Sequence, residues 1–265
     1  MITNESRSFL KKYIFNISTT ISASLMMLIT LGASIEQCHA QTKHLDLPPS
    51  AELVYAVKSS QKGIPVSGEA KVSWQINEAN SINKSYRINS ETSVAIFGKI
   101  LKTSSTGNVD QYGLAPEKFL EKRFRRDEAS TTFDRQSKTI SFSDVDLTYP
   151  IKGGEQDRLS ATWQLVALAR AAGTQLQTGH EWKMFVAGLR DADPWVFKLV
   201  ETHKIQTVLG ELEVLHIQKA PPPDAKGQQI ELWLATTLDY YPVRISFHDA
   251  NGDQVEQKIV SIKKQ

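Results

Sequence analysis

One cysteine in 265 residues, Cys38, leaves the chain with no second thiol for a disulfide and no cysteine cluster for a metal. Charge of one sign is also missing. Lysine and arginine number 31 against 29 acidic residues, so the chain lacks the basic field that nucleic acid binding requires. Catalytic signatures are scarce. His44, His180, His203, His216 and His248 fall in no metal-ligating spacing such as HExxH, and no serine sits in a GxSxG frame. Gly98-Lys99 is not a phosphate loop, because the upstream glycine and the Ser/Thr after the lysine are absent. These absences predict a protein that is not an enzyme and holds no metal and no cofactor. Beyond residue 40 there is no long apolar run, so no later segment is expected to cross a bilayer as a helix.

What is present begins with an export signal. Lys11 and Lys12 form a basic flank, Ile14 to Leu31 is an apolar run, and Cys38 and Ala40 are small residues at the −3 and −1 positions of a cleavage site after Ala40. Retention as a membrane anchor is the competing reading. A lipid-anchored Cys38 is disfavoured by Glu36 and Gln37, which are large and polar. The expected organisation is a cleaved signal over 1–40, a leader over 41–47 and a single β-rich domain over 48–263. That domain is periplasmic and must be held by its core alone. A chain of this size can bury about 70% of its unfolded surface.

Most of the domain alternates with period two. "ELVYAVKSS" puts Leu53, Tyr55 and Val57 on one face, and "GEAKVSWQIN" does the same with Ala70, Val72, Trp74 and Ile76. "EWKMFVAGL" sets Trp182, Met184 and Val186 against Glu181, Lys183 and Phe185. Turns are expected at Gly98, at Gly113 to Pro116, at "DRQSK", at Leu209-Gly210, at the proline-rich "APPPDAKG" and at "DANGD". A dozen or more strands joined by short turns, with no βαβ rhythm, predict antiparallel meander pairing. The fold class is mainly β: a curved antiparallel sheet or an incompletely closed β-barrel.

One segment breaks this pattern. "QDRLSATWQLVALARAAG", Gln156 to Gly173, predicts a single long helix over about 156–172. Stepping about 100° per residue gives two apolar stripes. Leu159, Trp163 and Val166 form one, and Ala161, Leu165, Leu168 and Ala172 the other, with Ser160, Gln164, Ala167 and Ala171 between them. A helix resting outside a sheet needs only one such stripe. Two stripes place this helix in or against the concave face, where it either completes the core or floors a cavity for an apolar ligand. Asp157 or Ser160 can cap its start, and Gly173 suits the position after its end. Arg170 falls inside the first stripe. It either snorkels toward the helix C-terminus or pairs with a carboxylate.

A basic cluster, Lys122, Arg123, Arg125 and Arg126, is largely neutralised by Glu117, Glu121, Asp127 and Glu128. It reads as a strand edge protected against pairing, with a phosphate or headgroup contact as the alternative.

Four stretches carry a family resemblance: "QDRLSATWQL" at 156–165, "IELWLATTLDYYPVRI" at 230–245, the "DANGD" that follows, and "GNVDQYGLAPEKFLEKR" at 107–123. Together they resemble the bacterial DUF3108 family. The motif positions are Gln156, Asp157, Leu159, Ser160, Gln164 and Leu165 at the helix start, and Glu231, Trp233, Leu234, Pro242, Val243 and Arg244 near the end. Thr236 departs from the proline of the family pattern, which touches only local turn rigidity. The resemblance implies an exported envelope protein with a β-rich fold. It brings no established activity and no catalytic residues. The implied architecture is similar to open-barrel lipoprotein carriers, in which a curved sheet holds acyl chains. The candidate cavity or motif residues are therefore Gln156, Asp157, Leu159, Ser160, Trp163, Gln164, Val166, Arg170, Glu231, Trp233 and Arg244. The leading expectation is an envelope protein that binds a lipid or another apolar ligand. A non-catalytic scaffold that assembles with another envelope protein and, last, a hydrolase are the other readings.

Overall fold

The computed structural model describes residues 45–61, 64–78, 84–95, 97–219, 229–248 and 253–265. The expected export signal, the start of the expected leader, the "APPPDAKG" loop and most of "DANGD" lie outside the described residues. Alternating side chains build fifteen strands among the described residues: β1 Ala51–Gln61, β2 Ile64–Glu78, β3 Lys84–Val94, β4 Gly98–Asp110, β5 Gly113–Arg123, β6 Ala129–Asp134, β7 Thr139–Phe142, β8 Thr148–Pro150, β9 Gln156–Asp157, β10 Glu181–Ala187, β11 Ala192–Thr207, β12 Gly210–Lys219, β13 Gln229–Ala235, β14 Pro242–His248 and β15 Gln254–Lys264. A single helix, α1, spans Ser160–Ala172.

All fifteen strands join one sheet in the order β8-β7-β6-β5-β4-β3-β2-β1-β15-β14-β13-β12-β11-β10-β9. Two meanders thus meet where β1 pairs with β15, and the sheet is left open between β8 and β9. The sheet curls until these edges face each other. Across the gap, Phe133 and Ile140 share a core with Ala187 and Ala192, and Tyr149 packs edge-on against Phe185 with ring centroids 5.7 Å apart. Thr131 Oγ1 donates to the Gly188 carbonyl at 2.5 Å, and Arg190 pairs with Asp144 at 3.1 Å. Side chains therefore seal a seam that no backbone ladder closes. The two edge strands, β8 and β9, are only three and two residues long, which limits the unpaired backbone they present.

The sequence reading needs three corrections. Gln156 and Asp157 are not helical. They form β9, pairing in parallel with Val186 and Ala187 of β10, so α1 starts four residues later than predicted. This short β9-α1-β10 crossover is also a βαβ unit that the strand rhythm did not reveal. The turn expected over Gly113 to Pro116 lies at Gln111-Tyr112 instead, and Pro116 sits within β5. Proline has no N–H to donate, and it is accommodated where the β4–β5 register slips between Thr106 and Gly107.

Alternate turns of a meander lie at the same end. The β3–β4, β5–β6, β7–β8 and β10–β11 turns share one end of the curled sheet, and the β4–β5, β11–β12 and β13–β14 turns share the other. Helix α1 fills the second end. Trp163 stacks on Trp74 of β2 (4.5 Å, 6° between planes) and meets Tyr241 edge-on. Leu165, Val166 and Ala169 pack on Trp182, Met184, Leu215 and Leu232 from β10, β12 and β13. Most of both predicted stripes is thus buried: Trp163 joins a core drawn from both meanders, while Val166 and the second stripe pack on the second meander. Residues 45–50 cross this end as a strap. The Trp74 indole donates to the Pro48 carbonyl, Tyr241 Oη to the Pro49 carbonyl, and Asp46 N to the Ala167 carbonyl.

Candidate functional site

The helix start is a polar joint inside an apolar shell. Asp157 is fully buried. Its Oδ1 accepts from the backbone N–H of Leu159 and Ser160, both at 2.8 Å, while Ser160 Oγ accepts from Asp157 N–H at 2.9 Å. This reciprocal pair is a capping box that begins three residues before the helix proper. Asp157 Oδ2 accepts from Ser105 Oγ at 2.5 Å, and Ser105 in turn lies 3.0 Å from Tyr86 Oη. Burial pushes the Asp157 carboxyl up to about 6, because loss of water disfavours the anion more than four hydrogen bonds favour it.

Two glutamines fasten this joint to the sheet. Gln156 Nε2 donates to the Leu114 carbonyl at 2.6 Å. Gln164 Oε1 accepts from Leu114 N–H at 2.8 Å, and its Nε2 donates to the Tyr112 carbonyl at 2.9 Å. Gly113, between those partners, has φ +115°, and a β-carbon there would strike the Gln164 amide. At the far end of the helix Arg170 takes the second of its two predicted options. It pairs with Asp239 at 2.6 Å and Asp46 at 3.2 Å. Burial opposes ionisation of Asp239, but hydrogen bonds from Lys264 and Arg170 hold its carboxyl below the usual range.

Between α1 and the opposite end of the curl lies a cavity of ≈ 190 Å³. Leu159, Thr162 and Trp163 form its floor. One wall is Tyr55, Thr92, Thr103 and Phe119 from the first meander, and the other is Trp195, Phe197, Ile245 and Phe247 from the second. Residues from both meanders can share one cavity only because the sheet curls around it. Glu121 and Arg158 sit at its outer margin and also line a wider vestibule of ≈ 530 Å³. That vestibule carries Arg123, Arg126 and Arg190 together with Asp127, Glu128, Asp144 and Asp191. The site is thus an apolar pocket with a mouth of mixed charge.

Of the residues singled out from the sequence, Leu159 and Trp163 line the cavity. Gln156, Asp157, Ser160 and Gln164 position the helix that floors it. Val166 packs on the far side of α1 and Arg170 anchors its end. Glu231, Trp233 and Arg244 are not brought to the cavity. On β13, Glu231 and Trp233 alternate with Leu232 and Leu234, which face the helix, and so belong to the other face of the sheet. There the Trp233 ring is covered by the parallel ring of His216 at 4.5 Å and by the Arg244 guanidinium at 4.4 Å, and His216 Nε2 lies 2.8 Å from Glu231 Oε2. The sequence reading missed the aromatic walls, Tyr55, Phe119, Phe197 and Phe247. Their inward-facing parity was visible in the alternation, but their convergence was not.

Among solved structures, a β-barrel-like DUF1849 protein of Brucella abortus matches with a TM-score of 0.52 at 10% identity, covering 83% of this chain and 99% of that one. This is a likeness of fold. Two more distant matches are a DUF1329 family protein of Desulfovibrio piger (TM-score 0.32, 6% identity, 84% and 89% covered) and a LolA superfamily protein of Nitrosomonas europaea (TM-score 0.22, 11% identity, 84% and 90% covered). No curated protein matches the sequence. The family model for the DUF3108 proteins, described as proteins of unknown function, matches residues 54–260.

Proposed function

The chain belongs to the DUF3108 family, and from that premise we propose that it is an exported envelope protein that holds an apolar or amphiphilic lipid in its cavity and catalyses no reaction. The observation that carries this reading is the pocket itself. Aromatic and aliphatic side chains from both meanders enclose it, helix α1 floors it, and charge appears only at its mouth. Such a lining favours a hydrocarbon chain by burying its surface, at about 25 cal/mol per Å². The mixed-charge mouth suits a polar headgroup left in water. The perturbed carboxyl supports a binding role rather than a reacting one. Asp157 is sealed among Ser105, Ser160 and backbone amides, where it serves the helix start and meets no solvent. The export signal at the N-terminus supports an envelope location.

The test is native mass spectrometry of protein extracted without detergent, together with titration by a fluorescent single-chain fatty acid. A co-purifying lipid, or saturable binding that Ile245→Trp abolishes by filling the cavity, is expected. Absence of both, in a protein shown to be folded, would sink the reading.

A further inference from the structure

The end of the sheet that carries the cavity mouth also carries two exposed aromatic side chains. Phe97, in the β3–β4 turn, is 60% exposed and Phe124, in the β5–β6 turn, is 43% exposed. They come from different hairpins, yet their rings lie 6.0 Å apart. The pairing of β4 with β5 brings them together: Phe124 N–H donates to the Ile100 carbonyl at 2.8 Å, just beyond the Leu101–Arg123 register pair. Arg125, held at φ +55°, lays its guanidinium over the Phe124 ring at 4.9 Å.

The surroundings of the pair are basic. Lys99, Lys122, Arg123, Arg125 and Arg126 flank it, against Asp127 and Glu128 in the same turn. The acids that could neutralise it further sit back from the tip. Glu121 is buried beneath Arg123, and Glu91 pairs with Lys99. Arg123 and Arg126 belong at once to this tip and to the wall of the vestibule. The apolar turn at the opposite end contrasts with it: Val208 and Leu209 are also exposed, but Glu211 and Glu213 follow them.

We propose that the Phe97–Phe124 tip, with its ring of lysines and arginines, is a docking surface for a bilayer bearing anionic headgroups, and that docking sets the cavity mouth against the lipid. Exposed aromatic rings enter the headgroup region, and the cations above them meet lipid phosphates. Charge complementarity selects this partner: Glu91 and Glu121 already answer Lys99 and Arg123, but Lys122, Arg125 and Arg126 form no ion pair among the described residues, and a proteinaceous apolar patch would bury the rings without answering them. The surface stands apart from whatever the cavity holds, so either assignment can fail alone.

The exported protein, processed as the cell processes it, is mixed with sedimenting vesicles of phosphatidylethanolamine and phosphatidylglycerol, or of phosphatidylcholine alone. Binding to the anionic vesicles is expected, weakening as salt is raised, with little binding to phosphatidylcholine. The double variant Phe97→Ser/Phe124→Ser should lose about tenfold or more in partition, and Lys122→Glu/Arg125→Glu a similar factor, while Val208→Ser retains full binding. Both tip variants keep their thermal midpoint and their uptake of fluorescent fatty acid, because the substituted side chains lie outside the cavity. Equal vesicle partition by wild type and both tip variants overturns the proposal, as does binding indifferent to headgroup charge. Absence of fatty acid uptake by the wild type with vesicle binding retained would overturn the cavity reading instead.

Discussion

Asp157 shows how one side chain couples pH to this fold. Its carboxyl is held at about 6 in the folded state against an ordinary value of 3.8. Between those values the folded protein keeps a proton that the unfolded chain has released. The stability this proton contributes is full below about pH 4 and is lost as pH rises to about 6, worth up to about 3 kcal/mol. Asp157→Asn preserves the acceptor for Leu159 and Ser160 and removes the titration. Urea unfolding across that range should therefore show wild type losing stability relative to the variant as pH rises. A constant difference between the two would refute the assignment. Trp163 makes a second residue-scale case. It is 2% exposed and stacked on Trp74, so Trp163→Ala should cost about 3–5 kcal/mol in the same measurement. Because Trp163 also forms part of the cavity floor, the variant should bind fatty acid differently even where it remains folded.

At the scale of elements, α1 behaves as an insert clamped at both ends rather than as a helix laid on a sheet. Its start is tied by the capping box and by Gln156 and Gln164 to the β4–β5 hairpin, and its end by Arg170 to Asp239 in the β13–β14 turn. Gly173, at φ +52°, then closes the helix with its N–H donating to the Ala169 carbonyl. The first clamp requires a glycine opposite Gln164. Gly113→Ala should destabilise the protein by about 1–3 kcal/mol or more from the backbone conformation alone, with the clash against Gln164 added. In a Gln164→Ala background the clash is absent, so a double-mutant cycle should show Gly113→Ala costing less there. Additive costs would mean that the side chain gives way freely.

The whole molecule is a sheet that nearly closes but does not. Its seam depends on Thr131, the Phe142–Tyr149–Phe185 aromatic group and the Arg190–Asp144 pair, all side-chain contacts. Among the described residues, strands β6 to β8 are joined to the rest of the ladder only through β5, so they are the section most ready to open. Thr131→Val should raise amide hydrogen exchange in β6–β8 while leaving β1, β2 and β15 protected. Uniform exchange changes over all strands would show instead that the seam opens only with global unfolding.

The local readings came from periodicity and held where local chemistry decides. Leu53, Tyr55, Val57, Ala70 and Trp74 turn inward as their alternation indicates, the "DRQSK" turn forms with Asp134 accepting from Gln136 and Ser137, and most of both stripes of α1 is buried. These features depend on neighbours a few residues away, which the sequence displays directly. The cavity does not. Its floor and walls join Tyr55, Phe119, Trp163 and Phe247, and the buried joint links Asp157 to Ser105. Alternation says which face a residue takes, not which distant strand will stand opposite. Glu231, Trp233 and Arg244 illustrate this limit: they carry the family motif beside the helix motif, yet the pleat sends them to the other face. The sequence by itself determined most of the strands, the two-sided helix and its caps, but not β9 or where the helix begins. Only tertiary structure decided that the sheet would curl far enough to bring β6–β8 against β10, because that closure depends on the accumulated twist and register of fifteen strands rather than on any one segment.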